Sequence, residues 1–116
     1  MTIRLGLSGG LVPTDPAAYV PALAAELAGL GVSRITTHLR TPPAELVASG
    51  EAARIRRLLA DAGIGVVQAT GYQPCLVTAD ATRLDADLER LARAGDAAAA
   101  LGSPFVLTGC GSLHPT

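Results

Sequence analysis

The sequence contains no lysine and no tryptophan, and all nine of its basic residues are arginine. The missing lysine excludes a Schiff-base enzyme, a P-loop nucleotide site and any other mechanism that needs a catalytic lysine. Aromatic residues make up only 3% of the chain, which leaves too few rings for a base-stacking platform. The net charge of -1 provides no basic footprint. We therefore expect no nucleic-acid partner.

Cysteines and long hydrophobic runs are also scarce. Cys75 and Cys110 lie 35 positions apart, which is no metal-ligand spacing, and two cysteines make no disulfide framework. The most apolar stretch, residues 11–32, is interrupted by three prolines and two acidic residues. It therefore predicts neither a membrane span nor a signal peptide. We expect a cytoplasmic protein that does not bind a membrane.

A helix, a glycine and a β-prone run recur along the chain as one unit. Hydrophobic residues make up 49% of the chain and charged residues 16%, which argues against disorder. The length of 116 residues supports one domain, residues 1–116. The units begin at Gly31, Gly63 and Gly102, and each glycine suits a left-handed helix cap. Their spacings, 32 and 39 residues, are about the size of one βα unit.

The hydrophobic pattern predicts four strands that alternate with three helices. The strands are expected at residues 3–7, 34–38, 65–69 and 105–108. The apolar faces of the helices are expected to consist of Leu23, Leu27 and Leu30, then Ile55, Leu58, Leu59 and Ala62, then Leu84, Leu88, Leu91 and Ala98. The order β-α-β-α-β-α-β predicts an α/β fold of sequential parallel βα units.

Three local signals predict where the helices begin. Asp15 followed by Pro16 suits the start of the first helix, and Pro21 either kinks that helix or marks its true start. Thr82 with Asp85 resembles a capping box for the third helix.

Polar residues follow the predicted strands, and in parallel α/β folds ligands bind at those strand ends. His38 ends the second strand and is the candidate catalytic residue, because imidazole can ligate a metal or move a proton near neutral pH. A hydrogen-bonded histidine at a strand end is the alternative. The candidates for substrate binding are Ser8, Arg40, Gln68, Thr70, Cys110 and His114.

Each of these candidates has a structural alternative. Arg40 could hold a phosphate or carboxylate, or be a surface arginine. The Ser8-Gly9-Gly10 loop could offer backbone N–H groups to an anion, or simply turn the chain. Cys110 is a reactive thiol or a bystander, and His114 is a site residue or part of a solvated tail. The G-x-S-x-G string at residues 6–10 is no nucleophile elbow, because prolines intervene before any helix. No G-x-G-x-x-G motif follows the first strand.

Three stretches of the chain stand out: G-V-S-R-I-T-T-H-L-R, L-A-D-A-G-I-G-V-V-Q-A-T-G and A-A-A-L-G-S-P-F-V-L-T-G. They resemble the sugar phosphate isomerase/epimerase family, whose members are xylose-isomerase-like (β/α)8 barrels. The resemblance implies a metal-assisted isomerisation or epimerisation of a sugar or sugar phosphate. It also implies a divalent ion of unknown identity. Only His38 and the loop after the fourth strand fall where family members place substrate or metal contacts. The metal carboxylates of the family come from later strands and have no counterpart in this chain.

The length restricts what the resemblance can mean. Family members are about twice as long, as expected for a barrel near 250 residues, so the chain corresponds to the N-terminal half of a TIM barrel. That half is expected to be inactive alone. Two alternatives remain open: a homodimer that closes a barrel through its open sheet edges, and a small non-enzymatic α/β module that binds an anion or sugar.

Overall fold

A three-stranded parallel sheet forms the centre of the fold. The computed structural model describes residues 4–70 and 76–109. The strands β1 (Leu5–Leu7), β2 (Val32–His38) and β3 (Gly65–Thr70) lie in the order β1-β2-β3. This arrangement confirms the α/β class and the parallel order of the first three predicted strands.

The fourth predicted strand, residues 105–108, is reduced to one parallel bridge between Ala69 and Val106. Ala69 donates its N–H to the carbonyl of Phe105 and accepts from the N–H of Leu107. The N–H of Phe105 donates to the Ser103 hydroxyl at 3.3 Å, so the hydrogen bonds between this segment and β3 do not extend toward Ser103. The chain nevertheless returns beside β3, in sequential order.

Four α-helices connect and cover the strands: α1 (Pro21–Gly29), α2 (Pro43–Ala48), α3 (Glu51–Asp61) and α4 (Ala81–Leu101). Pro21 marks the true start of α1, whereas Asp15 and Pro16 begin a separate 3₁₀ helix, Pro16–Ala18. The capping box expected at Thr82 is wrong. The carboxylate of Asp80 caps α4 instead, because it accepts the N–H of Arg83 at 3.2 Å. No helix within the described ranges is long and apolar enough to cross a membrane.

The three predicted glycine caps are confirmed. Gly31, Gly63 and Gly102 have φ angles of +79°, +76° and +76°. This left-handed conformation is open to glycine at little cost, and it ends each helix just before the chain turns back toward the sheet.

The helices cover one face of the sheet and form a single core with it. Helices α1 and α3 pack on the sheet and on each other, and α4 packs on α2, α3 and β3. The core contains Leu27, Val32, Ile35, Ile55, Leu59, Val66, Ala69, Ala98 and Leu101. In α4 the predicted apolar face is buried only near its C-terminal end, and Leu88 is 47% exposed. No described α-helix packs on the other face of the sheet.

Candidate functional site

The uncovered face of the sheet carries polar side chains at its C-terminal edge. Alternate residues of a strand point to the same face, so Thr36 and His38 of β2 share the face opposite to buried Ile35 and Thr37. The register pairs Thr36 with Gln68 and His38 with Thr70. Two neighbouring strands therefore bring their polar residues together at one place.

These residues line a cleft of about 550 Å³. The other strand ends complete its wall, so that the lining consists of Ser8, Gly9, Gly10, Thr14, Thr36, His38, Gln68, Thr70 and Leu107. Four of the residues expected from the sequence, Ser8, His38, Gln68 and Thr70, thus meet in one cleft. Its location at the carboxyl ends of parallel strands is typical of ligand sites in α/β folds.

A chain of two hydrogen bonds, through the hydroxyl of Thr70, orients the imidazole of His38. The hydroxyl of Thr70 donates its only proton to the carbonyl oxygen of Thr37, at 3.1 Å. Its oxygen therefore accepts the second bond, in which Nδ1 of His38 lies 3.1 Å away. With the hydroxyl proton of Thr70 on the carbonyl of Thr37, Nδ1 carries the proton of the neutral ring, and the other tautomer would require Thr70 to give up that bond. Nε2 is left with a free lone pair, and no described residue hydrogen-bonds it.

This arrangement suits a proton acceptor. A histidine that donates through one ring nitrogen to a fixed partner presents the other nitrogen as a base or as a metal ligand. His38 is exposed and lines the cleft, so its Nε2 is accessible to a small molecule. The alternative interpretation, a hydrogen-bonded histidine at a strand end, accounts for the hydrogen bond of Nδ1. It assigns no function to Nε2.

The Ser8-Gly9-Gly10 loop turns the chain immediately after β1. A 3₁₀ helix, Gly9–Leu11, follows Ser8 directly, and Gly9 has a φ of +75°. A nucleophile elbow needs an α-helix at this point, so the exclusion of that motif is confirmed. The loop lines the cleft, and both interpretations of it, an anion-binding loop and a plain turn, are compatible with this position.

The remaining candidates lie apart from the cleft or outside the described residues. Arg40 lines a different cavity, on the helix-covered side of the sheet. Cys110 and His114 lie outside the described residues. Thr36, Thr14 and Leu107 were missed by the sequence reasoning. Thr36 could have been found, because it precedes His38 by two positions and so shares its strand face.

The divalent ion that the resemblance implies does not fit the described residues by themselves. Among residues 4–70 and 76–109, no three histidine, cysteine, aspartate or glutamate side chains are grouped to hold a metal. In the cleft, His38 is the one residue of these types, and the lining contains no carboxylate. Divalent ions in proteins are usually held by several such ligands.

Comparison of the chain with protein-family models, with curated proteins and with solved structures found no match. The family resemblance therefore rests on the three sequence stretches quoted above.

Proposed function

We propose that the chain is one half of a sugar phosphate isomerase/epimerase-type (β/α)8 barrel, with the cleft on the inner surface of that barrel. The support is topological. The strands follow one another in sequence order, and their helices lie on one face only. Doubly wound sheets reverse their strand order and place helices on both faces, whereas barrels do neither.

A second copy of the chain completes the barrel in this proposal. An open parallel sheet leaves unpaired backbone groups at its outer strands, which favours pairing with another chain. Apolar side chains are exposed along both edges, since Leu5 is 55% exposed, Phe105 68% and Leu107 57%. Two copies would bring four strand segments each and bury these side chains.

His38 acts as the base that moves a proton between neighbouring carbons of the sugar. The observation that carries this proposal is the bond from Nδ1 to Thr70, which leaves the Nε2 lone pair accessible from the cleft. Nε2 takes the proton from the carbon next to the carbonyl, the C–H electron pair forms a C=C bond, and the π pair of the carbonyl moves to its oxygen. The proton of the neighbouring hydroxyl then passes to that oxygen. Nε2 returns its proton to the former carbonyl carbon as the neighbouring carbon becomes the new carbonyl.

Other cleft residues bind and orient the sugar. Ser8, Thr36 and Gln68 offer hydroxyl and amide groups that can hydrogen-bond sugar hydroxyls. Thr70 is a positioning residue, because it fixes the ring of His38 and the tautomer that His38 adopts. The apolar side chain of Leu107 covers part of the cleft wall.

The test is deuterium exchange from heavy water into fructose 6-phosphate and ribulose 5-phosphate, followed by proton NMR. We expect exchange at the carbon next to the carbonyl, at a rate per chain that rises with chain concentration because two copies close the site. His38→Gln should lower the rate at least about 100-fold, the usual contribution of a general base. Thr70→Val should lower the rate less and leave sugar phosphate binding unchanged.

Two results would contradict the proposal. Equal exchange in the wild-type chain and in His38→Gln would exclude His38 as the base. Binding of the sugar phosphates without any exchange would favour the non-enzymatic binding module instead. The thermal midpoint of each variant, measured in the same buffer, separates a lost function from a lost fold.

A further inference from the structure

A second cavity, of about 410 Å³, lies on the helix-covered side of the sheet, between α2, α4 and the end of β2. Its size falls in the range of roughly 300–1,000 Å³ that is common for small-molecule sites. Its walls are mainly apolar and include Leu39, Leu46, Ala94, Ala97, Leu101 and Val106. The cavity therefore offers an apolar environment, and it lies on the opposite side of the sheet from His38.

One buried polar atom in this cavity has no partner. The side chain of Thr37 is 1% exposed and lines the cavity, and its Oγ1 makes no hydrogen bond to any described residue. A buried hydroxyl without a partner is unfavourable, and such groups are rare in folded proteins. A ligand atom in the cavity would supply the missing hydrogen bond.

Three arginines line the same cavity, and no carboxylate does. The guanidinium of Arg40 has no described partner. Arg90 and Arg93 lie one turn apart on α4, with side chains 68% and 55% exposed. Their ion pairs are long, at 3.4 Å from Arg90 to Asp87 and at 3.3 and 3.7 Å from Arg93 to Asp96 and Glu89. The Arg93 pairs are exposed at both ends and contribute little, so Arg93 can turn to a bound anion, whereas Arg90 pairs with the buried carboxylate of Asp87.

We propose that this cavity binds a small amphipathic anion, an apolar body that ends in a carboxylate or a phosphate. The apolar body lies among the leucine and alanine side chains. The head group accepts hydrogen bonds from the Thr37 hydroxyl and from Arg40 and Arg93, whose planar guanidinium groups match both anions. This site does not use His38, although Thr70 lines both the cavity and the cleft.

Titration calorimetry with octanoate and with octyl phosphate tests the proposal. We expect one molecule of at least one of them to bind per chain, and the preferred compound identifies the head group. Octanol and inorganic phosphate should each bind at least about tenfold more weakly, because each lacks one of the two features. Octanol binding as tightly as both anions would overturn the role of the arginines.

Variants locate the site. Arg40→Gln and Arg93→Gln should each weaken binding about tenfold, the usual effect of losing a hydrogen bond to a charged group. Arg57→Gln is the matched control, because Arg57 is exposed on α3, away from the cavity. His38→Gln should leave binding unchanged, which separates this site from the cleft. Equal loss in the Arg57 and Arg40 variants would overturn the proposal.

Thr37→Val provides a second, independent readout. Valine has nearly the same shape and lacks the unpartnered hydroxyl, so we expect a higher thermal midpoint without ligand and about tenfold weaker binding of the anion. Thr36→Val, in the cleft on the opposite face, should leave anion binding unchanged. Unchanged binding in Thr37→Val would contradict the assigned contact.

Discussion

Replacing Arg54 with methionine is expected to lower the free energy of unfolding by about 3 kcal/mol, because two charge-assisted hydrogen bonds are lost at once. Nη1 of Arg54 donates to the carbonyl of Tyr19 at 2.7 Å, and Nη2 donates to the carbonyl of Pro16 at 2.8 Å. These bonds tie the segment between β1 and α1 to α3. In the described part of the chain, no other residue of α3 donates a hydrogen bond to either of these two carbonyl oxygens.

The carboxylate of Glu51 holds the guanidinium in place. Nε and Nη2 of Arg54 both donate to Glu51, at 3.0 and 2.8 Å. The hydrogen bond from Arg54 lowers the pKa of Glu51 and raises that of Arg54, which keeps both groups charged. Glu51 is exposed in part, so its main effect is to orient Arg54 rather than to stabilise the fold directly.

Urea unfolding of Arg54→Met and Arg57→Met measures this effect. Both substitutions remove one charge from α3, but Arg57 makes no described hydrogen bond, so its variant should change the free energy of unfolding by less than about 0.5 kcal/mol. Arg54→Lys should recover part of the loss, because an ammonium keeps the charge without the planar fork. Equal destabilisation by both methionine variants would show that Arg54 has no special role.

Burial of Tyr19 is expected to make the fold less stable at alkaline pH. Tyr19 is fully buried, and its hydroxyl donates to the carbonyl of Pro13 at 3.0 Å. Desolvation raises the pKa of Tyr19 from 10.0 to about 12. The unfolded chain loses this proton near the ordinary value, whereas the folded chain keeps it. The contribution of protonated Tyr19 to the free energy of unfolding is therefore fully present below pH 10 and is lost as the pH rises toward 12.

We expect the wild-type chain to lose about 1 kcal/mol more stability than Tyr19→Phe between pH 9 and about pH 11. Because the chain has no lysine, no side-chain ammonium group titrates in this window. The thiols and the second tyrosine are common to both chains and cancel in the comparison. Denaturant unfolding at several pH values gives the difference directly. Parallel pH curves for the two chains would contradict the assignment to Tyr19.

Four residues of the cleft could be predicted from the alternation of side chains along the strands. The position of Arg40, on the other side of the sheet, could not. Ser8, His38, Gln68 and Thr70 stand at or next to strand ends, where the parallel order itself brings them together. Arg40 lies beyond the strand. Its N–H donates to the carbonyl of Thr14, and this contact with a distant loop helps to direct it to the other side. Local sequence carries no signal for such a contact.

The positions at which helices begin and end were likewise predictable where local backbone preferences decide them, and not where tertiary contacts do. Pro21 and the three capping glycines were predictable, because their backbone preferences act within a few residues. Thr82 and Asp80 are both good capping residues, and the choice between them depends on where α4 meets the rest of the fold. The unpartnered hydroxyl of Thr37 was likewise invisible in the sequence, since an alternating strand pattern does not show which polar groups find partners.

The tautomer of His38 is the most direct test of the proposed proton-transfer site. Nitrogen-15 NMR of the imidazole rings, at about pH 8.5 where an ordinary histidine is neutral, distinguishes a protonated Nδ1 from a protonated Nε2. The chain has two histidines, and the spectrum of His38→Gln identifies the signals of His38. We predict a proton on Nδ1 and a free lone pair on Nε2, and loss of this preference in Thr70→Val. A proton fixed on Nε2 would contradict the role of His38 as the base.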